Sequence, residues 1–261
     1  MTHPLVAAIC NQKGGVGKTT ETFHLARAAA RAGRRTLVID ADPQGNLTTV
    51  LSAEPLPEDS VGLADVLSAR SREGISDVTV PTVWEGVDLV PTVGSTLELV
   101  RDELVTAGAG REGRLRSAIE TVGERYDLVL IDCPPSLDQL TINALAASEV
   151  VVVVSESKLL SAEGIAKLTR TVETVREHYA PTLRIAGVVI NKHEDRTIGG
   201  REWFEQIASA LPMIEPAVPK RAAIADSLEA ATGLDQWPSR RSEELVVIYD
   251  QHLATIEGVK P

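Results

Sequence analysis

The run from Ile9 to Thr20 reads Ile-Cys-Asn-Gln-Lys-Gly-Gly-Val-Gly-Lys-Thr-Thr. Glycines at 14, 15 and 17 let the backbone turn tightly and aim N–H groups inward, and Lys18-Thr19 then open a helix whose N-terminus favours phosphate. In such a loop Lys18 reaches the outer phosphates of a nucleoside triphosphate and the Thr19 hydroxyl joins a magnesium shell. Gly14, Gly15, Val16, Gly17 and Thr20 complete the cradle. One position departs from the usual loop: where its first glycine would stand, the sequence has Gln12, followed at once by Lys13. Lys18 already compensates phosphate charge, so Lys13 is either a solvated surface lysine or a group that reaches phosphate on a neighbouring subunit.

Acidic residues follow where this chemistry needs them. Asp40 and Asp42 lie in Ile-Asp-Ala-Asp-Pro-Gln-Gly-Asn. Two carboxylates at this spacing beside a triphosphate could hold magnesium waters and orient an attacking water. The bland alternative is a strand-ending turn, since Pro43 and Gly45 favour a sharply bent backbone. Asp132 ends the apolar run Leu-Val-Leu-Ile and precedes Cys-Pro-Pro-Ser, the position of an aspartate that steadies magnesium through a water. Cys133 reads as sheet packing rather than as a reactive thiol. A dinucleotide-binding glycine loop would require neither Lys18-Thr19 nor a second aspartate, which rejects that rival. Kinase chemistry shares the activation of the terminal phosphate and differs by an acceptor pocket that the sequence does not reveal.

Elements that could position these groups recur along the chain. Leu5–Ile9, Thr36–Ile39, Asp88–Val90, Leu128–Ile131, Val150–Val154 and Ile185–Ile190 are short apolar runs, several of them continuous, as a parallel sheet covered on both faces requires. Ile165, Leu168, Val172, Val175 and Tyr179 mark an amphipathic helix, as do Leu115, Ile119 and Val122. Residues 52–60 and 108–113 read as loops, 222–231 and 241–256 as helices, and 233–238 as a turn. The fold class that follows is α/β, a doubly wound, mostly parallel sheet flanked by helices. With 261 residues and 43% hydrophobic content, the expectation is a single P-loop domain over 1–261.

The formal net charge is −11, from 37 acidic against 26 basic residues, so any DNA contact must come from a local basic patch. Cys10 and Cys133 are too far apart for a CxxC metal motif and fit a reducing compartment. No leader-like or spanning apolar stretch stands out, and the tail from Glu257 to Pro261 lacks the faces of a membrane-seeking helix. A cytoplasmic protein without stable membrane association is expected.

Lys-Gly-Gly-Val-Gly-Lys-Thr-Thr at 13–20, Asp-Pro-Gln-Gly-Asn at 42–46 and Asp-Cys-Pro-Pro-Ser at 132–136 resemble the deviant Walker A partition ATPases, the ParA/Soj group of the ParA/MinD superfamily. The resemblance extends across nearly the whole chain, through Leu97-Glu98, residues 141–145 and Asp195-Arg196-Thr197. It implies ATP and Mg2+ as ligands, with Lys13 contacting nucleotide across an ATP-sandwich homodimer. It assigns Lys18 to phosphate in its own subunit, Thr19, Asp42 and Asp132 to the magnesium site, and Asp42 also to the hydrolytic water. Asn191 matches an adenine-contacting position and Pro219 the loop over the base; read alone, the first could cap a turn and the second break the chain.

By the same resemblance, ATP-bound dimers bind nonspecific double-stranded DNA on the nucleoid, and a centromere-binding ParB-like partner stimulates hydrolysis to segregate plasmid or chromosome DNA. Arg196, Lys220, Arg221, Arg240 and Arg241 are the DNA-binding candidates. Two departures bear on that surface: Ala223 stands where relatives often carry arginine, and Asp226-Ser227 replaces a Glu-Ala pair. Either other residues meet DNA or the chain positions a protein cargo on another matrix. No N-terminal helix-turn-helix domain is expected, which argues against direct repression. Membrane positioning of the MinD type would need a basic amphipathic tail, and reductase-type electron transfer would need paired cluster cysteines.

Overall fold

The computed structural model describes residues 3–194, 198–238 and 241–259, with the backbone alone for 159–162 and 198–200. The elements run β1 (Leu5–Cys10), α1 (Lys18–Arg31), β2 (Thr36–Asp40), α2 (Asn46–Leu51), α3 (Leu63–Leu67), α4 (Ile75–Val78), β3 (Val80–Pro81) and β4 (Val87–Val90). They continue with α5 (Thr96–Thr106), α6 (Arg114–Glu120), β5 (Leu128–Asp132), α7 (Gln139–Ala147), β6 (Val150–Glu156), α8 (Leu159–His178) and β7 (Arg184–Asn191). α9 (Ile198–Ala210), α10 (Ala222–Glu229) and α11 (Ser242–Gly258) close the chain.

The strands form one sheet in the order β3-β4-β2-β5-β1-β6-β7. All pairings are parallel except that of β3, a two-residue antiparallel edge whose Pro81 lacks a ladder donor. The six apolar runs all become strands; the short edge, with no periodicity to announce it, does not show in the sequence. The chain winds one way from β1 through β2 to β4 and the other way through β6 to β7, so direction reverses at β1. Crevices at such a reversal, beyond the carboxyl ends of the strands, are where open α/β sheets bind ligands.

Helices cover both faces, and successive strand residues feed opposite cores. Val6, Ala8 and Cys10 pack with residues of α3, α5, α6, α7 and α8, while Ala7 and Ile9 pack with α1, α2, α10 and α11. The α8 helix carries the apolar stripe that the spacing predicts, with Ile165, Leu168, Val172 and Val175 buried. Tyr179 lies beyond its end, half-exposed, because the helix stops at His178 before Pro181. Pro43 and Gly45 do turn the chain, and α2 begins at once behind Gly45, whose φ is 62°. No periodic stripe of apolar residues foretells α2 or α7; sequence reasoning passed over α9, although Phe204, Ile207 and Leu211 lie at helical spacing and pack on the core.

A register shift between Val151 and Val152 sets how β7 meets β6, since Val151 faces Ile185 but Val152 faces Gly187. Only glycine suits that bulge: a Cβ on Gly187 would come within 2.9 Å of the Ile214 side chain and 3.0 Å of the Pro212 carbonyl. The shift brings Asn191 level with Glu156 at the carboxyl edge of the sheet.

The C-terminal helix is fastened to the loop-following helix by a buried ion pair. His252 of α11 places Nδ1 at 2.8 Å from Glu21 Oε1 of α1 and Nε2 at 2.8 Å from the Pro216 carbonyl oxygen. Both partners are acceptors, so both ring nitrogens donate and the imidazole is cationic. Burial pushes the His252 pKa down, but the Glu21 charge and the two hydrogen bonds outweigh it and leave the pKa raised. Replacing His252 with alanine strands a buried carboxylate and should cost about 3–5 kcal/mol in urea unfolding. The wild-type advantage should be complete below about pH 6.5 and fade as pH climbs through the raised folded value; an advantage that grows with pH would refute the cationic assignment.

Candidate functional site

The carboxyl ends of β1, β2 and β5 converge on one crevice. Gly15 and Gly17 adopt φ of 74° and 99°, left-handed backbone that glycine alone takes without strain. At Gly17 a side chain would also collide with the Asn191 amide. Behind it α1 starts at Lys18, with Gly17 as its N-cap. Gly14, Gly15, Gly17, Lys18, Thr19, Thr20, Asp42 and Lys192 are among the residues lining a cavity of about 510 Å³ above this helix end. The N-terminal N–H groups and helix dipole make it an anion site.

Register explains the acidic side. Asp132 pairs with Ile9 and with Asp40 across β5, so two carboxylates end neighbouring strands. Thr19 Oγ1 donates to Asp132 Oδ2 at 2.7 Å, and Thr22 Oγ1 lies 3.5 Å from Oδ1. Burial first, and then the charge of Asp40, push the Asp132 carboxyl above the usual carboxylate range, against the hydrogen bond from Thr19 and the charge of Lys18. Asp40 is raised mainly by burial as well, and accepts hydrogen bonds from the Thr48 amide and hydroxyl, each at 2.8 Å.

This geometry divides the aspartate pair. Asp40 is fully buried and holds α2 to the sheet, whereas Asp42 lines the cavity and its Oδ1 accepts from the Gln44 amide, at 3.0 Å. Asp40 therefore does structural work and Asp42 alone faces the ligand space. Two carboxyls pushed up mainly by burial, with a threonine hydroxyl against one of them and Lys18 nearby, form a donor set whose cost a hard divalent cation relieves. Thr19 and Asp42 line the cavity and the buried Asp132 stands behind Thr19, so the residues present fit magnesium.

The other predicted residues are placed less uniformly. Val16 is buried, and its carbonyl accepts from Asn191 Nδ2 at 2.8 Å, so Asn191 props the glycine loop from beneath. Pro219 forms an isolated bridge with His193, and neither Asn191 nor Pro219 lines the cavity. Lys13 does not line it either; its Nζ lies 3.9 Å from Glu156 Oε2. Cys133 is buried as read, its Sγ 2.9 Å from that of Cys10, and burial drives its pKa well up. Among the basic candidates, Lys220 is ion-paired to Glu194 at 2.9 Å, Arg221 is exposed beside it, and Arg241 caps α11. Arg196 and Arg240 lie outside the described residues.

Sequence reasoning passed over Lys192 and Glu156. Lys192, at φ 52°, reaches across the loop to donate to the Gly15 carbonyl at 2.5 Å. The only cue for it was its place next to Asn191 at a strand end.

A family described as AAA domain matches residues 5–185. The sporulation initiation inhibitor protein Soj of Bacillus subtilis is 38% identical over 203 residues, covering 77% of this chain and 78% of Soj. The chromosome partitioning protein ParA of Caulobacter vibrioides is 43% identical over 197 residues, covering 74% of this chain and 72% of ParA. The chain belongs to the ParA/Soj family of P-loop ATPases. Two uncharacterized proteins of Mycobacterium tuberculosis are 42% identical to it over 203 residues, and the match spans 62% of their length. Cobyrinic acid a,c-diamide synthase from Mycobacterium smegmatis, solved with bound ATP analog and magnesium, has a TM-score of 0.77 at 33% identity, covering 87% of this chain and 93% of that one. The ATP complex of a McdA variant from Cyanothece shares the fold, with a TM-score of 0.85 at 21% identity over 100% and 99% of the two chains.

In this ParA/Soj site burial of Asp40 and Asp132 costs stability that a bound cation would restore. Asp132→Asn keeps an oxygen for Thr19 and deletes the charge, so in EDTA the variant should melt higher, by about 2–6 °C. ATP turnover with magnesium in place of EDTA should fall by roughly 10–100-fold. A melting temperature below that of the wild type would show that the charge is not strained.

Proposed function

We propose that this chain is an ATP-dependent partition switch: Mg2+ and ATP join two subunits, the dimer binds nonspecific double-stranded DNA, and hydrolysis, stimulated by a centromere-binding ParB-like partner, dissolves it. The observation that carries this reading is the position of Lys13. Its side chain is 34% exposed, 3.9 Å from Glu156 and outside the cavity that the loop glycines and Lys18 line, a position from which it serves a nucleotide other than its own subunit's. The names of the Bacillus and Caulobacter relatives support a partition role, and the ATP analog and magnesium in the Mycobacterium smegmatis structure support the ligands.

Within one subunit, the loop amides and Lys18 hold the outer phosphates, and Thr19 and Asp132 hold the cation side of the cavity. Asp42 orients a water for in-line attack on the terminal phosphorus, breaking the bridge to the β-phosphate. Magnesium, when bound, neutralises charge on the phosphate oxygens. Lys13 from the second subunit adds a positive charge that only the dimer supplies, so nucleotide state and assembly are linked. The DNA surface is assigned to Lys220, Arg221 and Arg241, with Arg196 and Arg240, brought together from two subunits against the acidic total. Lys220 is already paired to Glu194, and this favours a second reading in which the same switch positions a protein cargo on another matrix. In the first reading the protein is cytoplasmic and nucleoid-associated, working as a single P-loop domain.

DNA binding at defined salt with ADP, ATP and a nonhydrolysable analogue, for wild type and Lys13→Ala, tests the proposal. The expected outcome is ATP-selective binding, lost in the variant and weakened steeply by salt. Equal binding in every nucleotide state would sink the switch, and a nucleotide-dependent dimer that ignores DNA would favour the protein-cargo reading.

A further inference from the structure

Three lysines converge on one carboxylate at the edge of the phosphate loop. Glu156 Oε2 lies 2.7 Å from Lys158 Nζ and 3.9 Å from Lys13 Nζ, and its Oε1 lies 3.5 Å from Lys192 Nζ. The glutamate side chain is 10% exposed, against 34%, 65% and 45% for Lys13, Lys158 and Lys192. Sheet register builds the cluster. Cys10 pairs with Val153 and Glu156 with Asn191, so the residues that follow β1 and β7 flank the end of β6. Asn11 then ties the loop down, its Nδ2 donating to the Val154 carbonyl at 2.7 Å and its Oδ1 accepting the Lys13 amide at 3.0 Å. Burial pushes the Glu156 carboxyl up, but Lys158, Lys192 and Lys13 outweigh it and keep the group below its ordinary range, ionised at neutral pH.

Lys13 and Lys192 are the two cations of this cluster nearest the phosphate loop. Lys13 belongs to it, and Lys192 bonds its Gly15 carbonyl and lines the cavity. An ammonium held by a carboxylate is partly neutralised toward any other anion. We propose that Glu156 is a positioning residue, an internal counter-ion that holds Lys13 and Lys192 in the nucleotide-free subunit and that an incoming triphosphate must displace. Glu156 thereby sets the nucleotide concentration at which the loop lysines are released. This rests on the reading that nucleotide fills the loop cavity and is independent of DNA: Lys192, which lines the cavity, is released within one subunit, and Lys13, which lies outside it, by the nucleotide of the second subunit.

The alternative, in which Glu156 aims the lysines at phosphate, predicts the opposite sign, so one substitution separates the two. Titration with a fluorescent nonhydrolysable ATP analogue and with fluorescent ADP, both with magnesium, reads the affinity directly. Glu156→Gln should bind the triphosphate analogue about fivefold tighter at low salt, with a smaller gain for ADP and a shrinking gain as salt rises. Glu156→Asp, which withdraws the charge by one methylene, should move the same way by less. It decides the matter if the glutamine variant folds poorly. In a Lys13→Ala/Lys192→Ala background the gain from Glu156→Gln should vanish, a coupling that a merely structural glutamate would not produce. Unchanged or weaker triphosphate binding by a Glu156→Gln protein with wild-type melting overturns the proposal. Wild-type protein that binds neither nucleotide would instead remove the reading of the cavity on which the proposal rests.

Discussion

The register of the parallel strands is the constraint from which the rest of the molecule follows. Backbone hydrogen bonding fixes Ile9 and Asp40 opposite Asp132, and Glu156 opposite Asn191 three residues beyond the Cys10–Val153 pair, so the residues just past each strand emerge along one edge of the sheet. The loop glycines, Lys18, Thr19, Asp42 and Lys192 that line the ligand space follow these exits, and Leu228 and Glu229 of α10 close it from the side. Helices on both faces bury the strands and hold that register, and the bulge at Gly187 corrects β7 by one residue so that its end joins the edge. A single slip in the ladder would disperse the site and move the side chains of the strand from one core to the other.

Charge is distributed along that edge in alternating blocks. Asp40, Asp42 and Asp132 gather beneath the β2, β5 and α1 ends, while Lys13, Lys158 and Lys192 gather over β1, β6 and β7. The acidic block is costly because its members are buried and repel one another, and the basic block is eased by Glu156. A magnesium nucleotide presents a cation and a polyanion side by side. The edge of the sheet is thus polarised in the sense that such a ligand requires, which the net charge of −11 conceals.

Much of this was legible in the residues, for identifiable reasons. The glycine loop, Thr19, Asp42 and Asp132 depend on residue type and on strand ends, both of which are local, and continuous apolar runs announced the strands that carry them. The division between Asp40 and Asp42 was not legible, because it depends on Thr48 folding back over β2, a contact between segments that no periodicity links. Glu156 and Lys192 escaped for the same reason: they are ordinary charged residues until a bulge and two parallel pairings set them beside the loop. The clamp from His252 to Glu21 joins residues 231 positions apart and leaves no local trace. The Val80-Pro81 edge is too short for any pattern.

Cys10 and Cys133 are the only cysteines in the chain, and both are sealed inside the sheet, at 1% and 0% exposure. Their thiols face each other, and burial raises the pKa of Cys133, so little thiolate is presented to water. Thiol-directed dyes and spin labels will therefore pass over the native protein and attach where a cysteine is introduced on its surface. The molecule is suited, with no prior removal of its own sulfurs, to carrying labels at chosen surface positions that report on the proposed meeting and parting of two copies.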